Sequence, residues 1–191
     1  VSAFLLNRSS DLSLEIGQYA FQSCAKLQSI NLEAATQLKN LSNYCFRYCY
    51  ELKSITIPAS VETFGSSILN YCNALETITF NAVNVQNDCY KNGQTLTTIN
   101  IGAGVKSIGD NAFNNSYALT NINIAAGVDG LAIGKQAFYD CGQLRTVTLP
   151  KGVVSLGESA FNSCDSLRTV NIAEGSRLDS IGRYAFAYCY K

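Results

Sequence analysis

The chain has 191 residues, 47% of them hydrophobic, which is ample material for a core and excludes a disordered polymer. Lys and Arg total 14, as do Asp and Glu, so the net charge is zero and nucleic acid is not an expected partner. The absence of His removes the commonest general base and metal ligand together, and no apolar run reaches the roughly 20 residues of a membrane-spanning helix.

From the N-terminus onward one phrase recurs. Its anchors are Leu27, Leu52, Leu75, Leu96, Leu119, Leu144 and Leu167, at spacings of 25, 23, 21, 23, 25 and 23. A fixed period of this length marks a repeat array. Three residues after each anchor stand Ile30, Ile55, Ile78, Ile99, Ile122, Val147 and Val170. Two further on stand Leu32, Ile57, Phe80, Ile101, Ile124, Leu149 and Ile172. Alternation of branched apolar and polar residues predicts one short strand per repeat with one buried face. In register, those strands make a parallel sheet.

Turns follow at Pro58, Gly102, Gly127, Pro150 and Gly175. An apolar residue and a small one then open the far side, as at Ile16-Gly17, Ile108-Gly109, Ile133-Gly134, Leu156-Gly157 and Ile181-Gly182. Next come pairs such as Ala20-Phe21, Cys45-Phe46, Ala112-Phe113, Ala137-Phe138 and Ala160-Phe161. The span from there to the recurring Cys is short, so a single helical or 3₁₀ turn is expected. The unit from Val85 to Ile99 departs most, with Tyr90 for Phe and Gly93 for Cys, and a local irregularity is expected there.

Six cysteines, Cys24, Cys49, Cys72, Cys141, Cys164 and Cys189, occupy one position of the repeat; Gly93 and Ser116 interrupt the series. They are expected to form an inward ladder of free thiols packing as small hydrophobes. Neighbouring rungs about 4.8 Å apart suit a disulfide's Cα separation, but parallel Cβ vectors do not. Cys45 and Cys89 stand where other repeats have Ala and read as small core residues. Cys45 and Cys49 make a lone C-x₃-C without His, poor material for zinc.

These units resemble the BspA-type leucine-rich repeats, which read Ile-Gly-x-x-Ala-Phe-x-x-Cys-x-x-Leu-x-x-Ile-x-Ile-Pro. The resemblance covers essentially the whole chain. It implies an α/β repeat solenoid, with a parallel β-sheet on the concave face and short helical or 3₁₀ turns on the convex face. It also implies a cell-surface or secreted adhesion module, without catalysis or cofactor. The implied partners are host matrix proteins, other cells or further copies of the protein.

Residues 1–191 read as one solenoid of about eight repeats of 21–26 residues with no recognisable caps. The chain stops at Tyr188, Cys189, Tyr190 and Lys191, where the next anchor is due, and Val1, Phe4 and Leu6 fit the strand phase. Three explanations stand: an excerpt from a longer array, a subunit stacking head to tail into a filament, or terminal turns capped in an unread way. Val1, Phe4, Leu6, Tyr188 and Tyr190 are the candidate end-to-end interface. The missing Met agrees with a mature product, a fragment or an excerpt.

The outward strand positions form a polar lattice whose candidate binding residues are Lys53, Thr56, Glu76, Thr79, Asn100, Asn123, Arg145, Thr148, Arg168 and Asn171. Such a face suits a protein or glycan held by many hydrogen bonds, although Thr is also simply a good exposed strand residue. Tyr44, Tyr48, Tyr50 and Tyr71 fall on adjacent rungs, and Tyr184, Tyr188 and Tyr190 repeat the cluster. Tyr offers area and a polar tip at binding surfaces, and equally can lie flat as packing. Asp and Glu are scattered singly, so no acid/base pair is expected.

Overall fold

The computed structural model describes residues 7–8, 13–90 and 94–190. Among them the strands begin with β1 (Asn7–Arg8), β2 (Leu14–Ile16), β3 (Leu38–Leu41), β4 (Ser54–Ile57) and β5 (Thr63–Phe64). They continue as β6 (Thr77–Phe80), β7 (Asn84–Val85), β8 (Thr98–Ile101), β9 (Ser107–Ile108) and β10 (Asn121–Ile124). Last come β11 (Leu131–Ile133), β12 (Thr146–Leu149), β13 (Val153–Leu156), β14 (Thr169–Ile172) and β15 (Ser180–Ile181).

The anchored units give the first ladder. Strands β4, β6, β8 and β10 form one parallel sheet in single-repeat register, with Ile55, Ile78, Ile99 and Ile122 stacked and buried. Strands β12 and β14 pair in the same way but form a separate ladder. The unit at Leu27–Leu32 is not a strand, although the Gln28 carbonyl still accepts the Lys53 N–H at 3.2 Å.

A second parallel ladder runs along the far side, where only a turn was expected. It joins β2, β3 and β5, and then β7, β9, β11, β13 and β15. Each of these strands ends on a residue that lines up with its neighbours, from Ile16, Leu41 and Phe64 to Val85, Ile108, Ile133, Leu156 and Ile181. The ladder breaks between β5 and β7, at the start of the divergent Val85–Ile99 unit; Gly93 lies outside the described residues. At its other end β1 lies antiparallel on β2, Asn7 opposite Glu15.

The expected helical turns are not there: no helix occurs among the described residues. Each apolar strand end, followed by Gly in six repeats, by Ser42 in one and by Gln86 in another, runs instead into an arch: 17–24, 42–49, 65–72, a fourth starting at 86, 109–116, 134–141, 157–164 and 182–189. In the first, Ala20, Gln22 and Cys24 donate to the carbonyls three residues back, whereas Tyr19, Phe21 and Ser23 donate to Asn43, Cys45 and Arg47 of the next arch. A helix would turn every amide onto its own chain. Here alternate amides leave it, because the stacked neighbour offers a carbonyl within 2.8–3.2 Å. Residues at positive φ make the alternation possible: Tyr19 and Ser23 in the first arch, Asn111 and Asn115 in the fifth.

Between ladders and arches lies one core. Phe113, Phe138, Phe161 and Phe186 stack with centroids 5.1–5.4 Å apart, and Phe21 stacks on Phe46 at 5.2 Å. Leu69 and Tyr90 interrupt the column. Its tight pitch dictates the glycines beside it, since a Cβ on Gly157 would stand 2.5 Å from the backbone of Gly134 and Lys135.

Candidate functional site

The ten strand-face candidates fall into two rows. Thr56, Thr79, Asn100 and Asn123 are successive partners on one sheet, and Thr148 faces Asn171 on the other. Lys53 and Glu76 share a row with Thr97 and Thr120, bonded backbone to backbone at 2.9–3.0 Å, and Arg145 with Arg168 continues it after the gap between β10 and β12. The middle row is largely bonded to itself: Asn123 donates to Asn100 at 2.8 Å, Asn100 to Thr79 at 3.0 Å and Asn171 to Thr148 at 3.3 Å. Those bonds fix side-chain rotamers and leave fewer groups free for a ligand. Glu51, beside this face, is drawn below the usual carboxylate range by hydrogen bonds from Lys26 and Gln28.

Tyrosines are brought together more tightly than their spacing suggested. Tyr19 stacks on Tyr44 with centroids 5.6 Å apart, and Tyr48 on Tyr71 at 4.9 Å, with Tyr50 tilted against Tyr48 at 5.8 Å. Arg47 sits at the centre, its guanidinium carbon 4.5 Å from the Tyr48 ring, 5.2 Å from Tyr44 and 5.5 Å from Tyr71. Tyr19, Tyr50 and Tyr71 are about half exposed. Sequence reasoning missed Tyr19 and Arg47. Both carried a signal: Tyr19 precedes Tyr44 by one repeat, and Arg47 shares the arch of Tyr44 and Tyr48. At the C-terminal arch Arg183 lies 4.5 Å over Tyr184, and Tyr188 tilts on Tyr190 at 6.1 Å.

All eight cysteines are free. In the ladder each thiol reaches the Phe carbonyl of the preceding arch: Cys49 to Phe21 and Cys72 to Phe46 at 3.2 Å, Cys164 to Phe138 at 3.3 Å, Cys189 to Phe161 at 3.5 Å and Cys141 to Phe113 at 3.6 Å. Cys24, in the first arch, is half-buried. Burial pushes Cys45 and Cys89 up to about 12, so both stay protonated and unreactive at neutral pH. Ser116 stands in the ladder with its buried Oγ unpartnered.

Of the end-to-end candidates, Val1, Phe4 and Leu6 lie outside the described residues, while Tyr188 and Tyr190 are exposed. An open groove of about 540 Å³ follows the second ladder past Ser107, Gly134 and Ser155. Its rim charges are engaged, Asp110 accepting the Lys135 N–H at 2.7 Å and Lys135 pairing with Glu158 at 3.1 Å. No group of three or more His, Cys, Asp or Glu suited to a metal occurs among the described residues. Nor does any helix there have the length and apolarity to cross a membrane.

A family model described as BspA type leucine rich repeat region matches in six copies over residues 10–120 and 81–191. Among solved structures, the leucine-rich repeat protein TpLRR of T. pallidum is similar at 24% identity and a TM-score of 0.66, over 81% of this chain and 71% of that one. The pneumococcal vaccine antigen PcpA matches at 16% identity and a TM-score of 0.47, over 82% of this chain and 54% of that one. A leucine-rich cell surface protein of Faecalibacterium prausnitzii matches at 21% and 0.38, over 87% and 71%. No curated protein matches.

Proposed function

We propose that this chain, which belongs to the BspA-type leucine-rich-repeat family, is a non-catalytic adhesion module that binds protein at the cell surface or in secreted form. The observation that carries the reading is the division of the solenoid. One continuous apolar core supports regular exposed rows, which present many polar and aromatic groups and no converging acid/base or metal set among the described residues. Leucine-rich repeats of this kind are scaffolds for interaction, and nothing points to enzymatic activity. The chain forms one array of about eight repeats of 21–26 residues in this reading.

The test is solid-phase binding to immobilised matrix proteins and to glycan arrays. Binding to protein that weakens when Arg145→Glu and Arg168→Glu are introduced into the strand face supports the reading and places the site there. Selective glycan binding without protein binding would replace the protein ligand by a glycan, and the absence of both would overturn adhesion.

A second reading, a subunit stacking into a filament, is favoured by one observation: Val170, Ile172 and Ile181 on the last two strands are 37–53% exposed, whereas Val147, Leu149 and Leu156 one repeat earlier are buried. Against it, β1 already pairs with the outer edge of β2 at the other end. Light scattering and negative-stain microscopy over a concentration series separate the two. Fibres whose axis continues the solenoid favour stacking, and a stable monomer removes it.

A further inference from the structure

The aromatic cluster of the first three arches occupies backbone positions that suit it poorly. Each arch that lies wholly within the described residues has two residues at positive φ, four apart. In the fifth to seventh arches these positions hold Asn111, Asn115, Gln136, Asp140, Ser159 and Ser163, mostly small polar residues. In the first three they hold Tyr19, Ser23, Tyr44, Tyr48, Ser67 and Tyr71, the tyrosines at φ of 62°, 58°, 63° and 63°, and the eighth arch again holds Tyr184 and Tyr188. A bulky residue in the left-handed region is an outlier, and it persists only where surrounding structure fixes the backbone. The bonds between arches do so, with Tyr19 donating to Asn43, Tyr44 to Ser66 and Tyr48 to Asn70 at 3.1–3.2 Å. The backbone therefore does not ask for tyrosine.

What the tyrosines present is suited to an anion. Residues 17–24, 42–49 and 65–72 contain no Asp or Glu and a single charge, Arg47. Its buried Nε has no hydrogen-bond partner, no ion pair of Arg47 occurs among the described residues, and its guanidinium carbon lies 4.5–5.5 Å from three tyrosine rings. The rings stack in pairs, with interplanar angles of 6° for Tyr19–Tyr44 and 23° for Tyr48–Tyr71, and Tyr19 and Tyr71 stay about half exposed. A ring edge is the positive part of the quadrupole, and a phenolic hydroxyl is a donor. Ring edges, hydroxyls and a guanidinium without an ion pair all favour carboxylate. Tyr, Ser and Asn around a central Arg is moreover the composition of surfaces that recognise protein.

We propose that the Tyr19–Tyr44–Arg47–Tyr48–Tyr71 cluster binds an acidic segment of a partner protein, with a carboxylate on Arg47 and the tyrosine hydroxyls flanking it. This rests on the protein-binding reading but uses a surface apart from the strand rows. The probe is a random-peptide phage library selected on the immobilised chain, followed by titration of the enriched peptides. The expected result is enrichment of Asp and Glu, with affinity falling about tenfold or more in Arg47→Gln and in Tyr71→Asn, partial recovery in Arg47→Lys, and no change in Arg145→Gln/Arg168→Gln. Thermal unfolding of each variant excludes loss of fold as the cause. Peptides without acidic bias, or peptides insensitive to Arg47→Gln, overturn the proposal. If they respond instead to Arg145→Gln/Arg168→Gln, the protein-binding reading survives without it. No enriched peptide at all counts against both. Binding of hyaluronan or heparin fragments that is lost in Arg47→Gln, with no peptide bound, replaces the acidic segment by an acidic glycan and overturns the proposal as stated.

Discussion

The first three arches and the fifth to seventh share a backbone and differ in what stands on it. Both alternate local and inter-coil hydrogen bonds, and both place residues at positive φ four apart. In the later arches those positions carry Asn, Asp, Ser and Gln, beside an uninterrupted Phe column and charges such as Lys135 paired to a neighbour. In the early arches they carry four Tyr beside Ser23 and Ser67, with Arg47 among the rings and without an ion pair among the described residues, over a Phe column that stops at Phe46. The fifth to seventh arches show that the backbone is built without tyrosine at these positions, which the first three and the eighth arches carry.

The largest expected effect is on that shared frame. Phe138 is fully buried between Phe113 and Phe161, so Phe138→Ala is expected to cost about 3–5 kcal/mol in urea denaturation. A loss near 1 kcal/mol would mean that the later arches are not the rigid half.

Next comes alkaline lability. Cys45 and Cys89 are held near 12 in the folded chain by burial, against an ordinary 9.0. Their raised folded pKa values mean that the stability they contribute is complete below about pH 9 and is lost as pH rises towards 12, by about 1.4 kcal/mol per pH unit for each thiol. Later arches carry Ala112, Ala137 and Ala160 at that position, so Cys45→Ala/Cys89→Ala is expected to flatten this part of the pH profile. An unchanged slope between pH 9 and 11 would contradict the assignment.

How much of this was legible varies along the chain. The β4, β6, β8, β10, β12 and β14 strands were readable because Ile55-x-Ile57 and its counterparts alternate cleanly with polar residues. The second ladder was not, because strands as short as Thr63–Phe64 or Ser107–Ile108 show no period. The arches were misread as helical turns because their left-handed positions hold Tyr, Ser and Asp, where Gly would have announced them. Of the candidate site, the adjacency of Tyr44, Tyr48 and Tyr71 was visible from spacing. The place of Arg47 was not, since only coordinates show three tyrosine rings around its guanidinium.

Smaller effects test the contrast position by position. Moving the early pattern into the later half, Asn111→Tyr is expected to cost about 1–2 kcal/mol by differential scanning calorimetry, the price of a bulky residue in the left-handed region. Restoring the ladder with Ser116→Cys, which removes a buried unpartnered hydroxyl, is expected to gain about 1 kcal/mol in the same assay. A loss there would mean that the fifth arch has adjusted to serine.

The most direct test of the claim that the tyrosines serve recognition and not folding is the thermal unfolding of Tyr71→Asn beside the parent chain. Tyr71 is 53% exposed at φ 63°, where Asn sits more comfortably. The account predicts a Tm equal to or above the parent's. A fall of several degrees, the size expected when a packed aromatic is removed, would show that the ring holds the arch together and would contradict it.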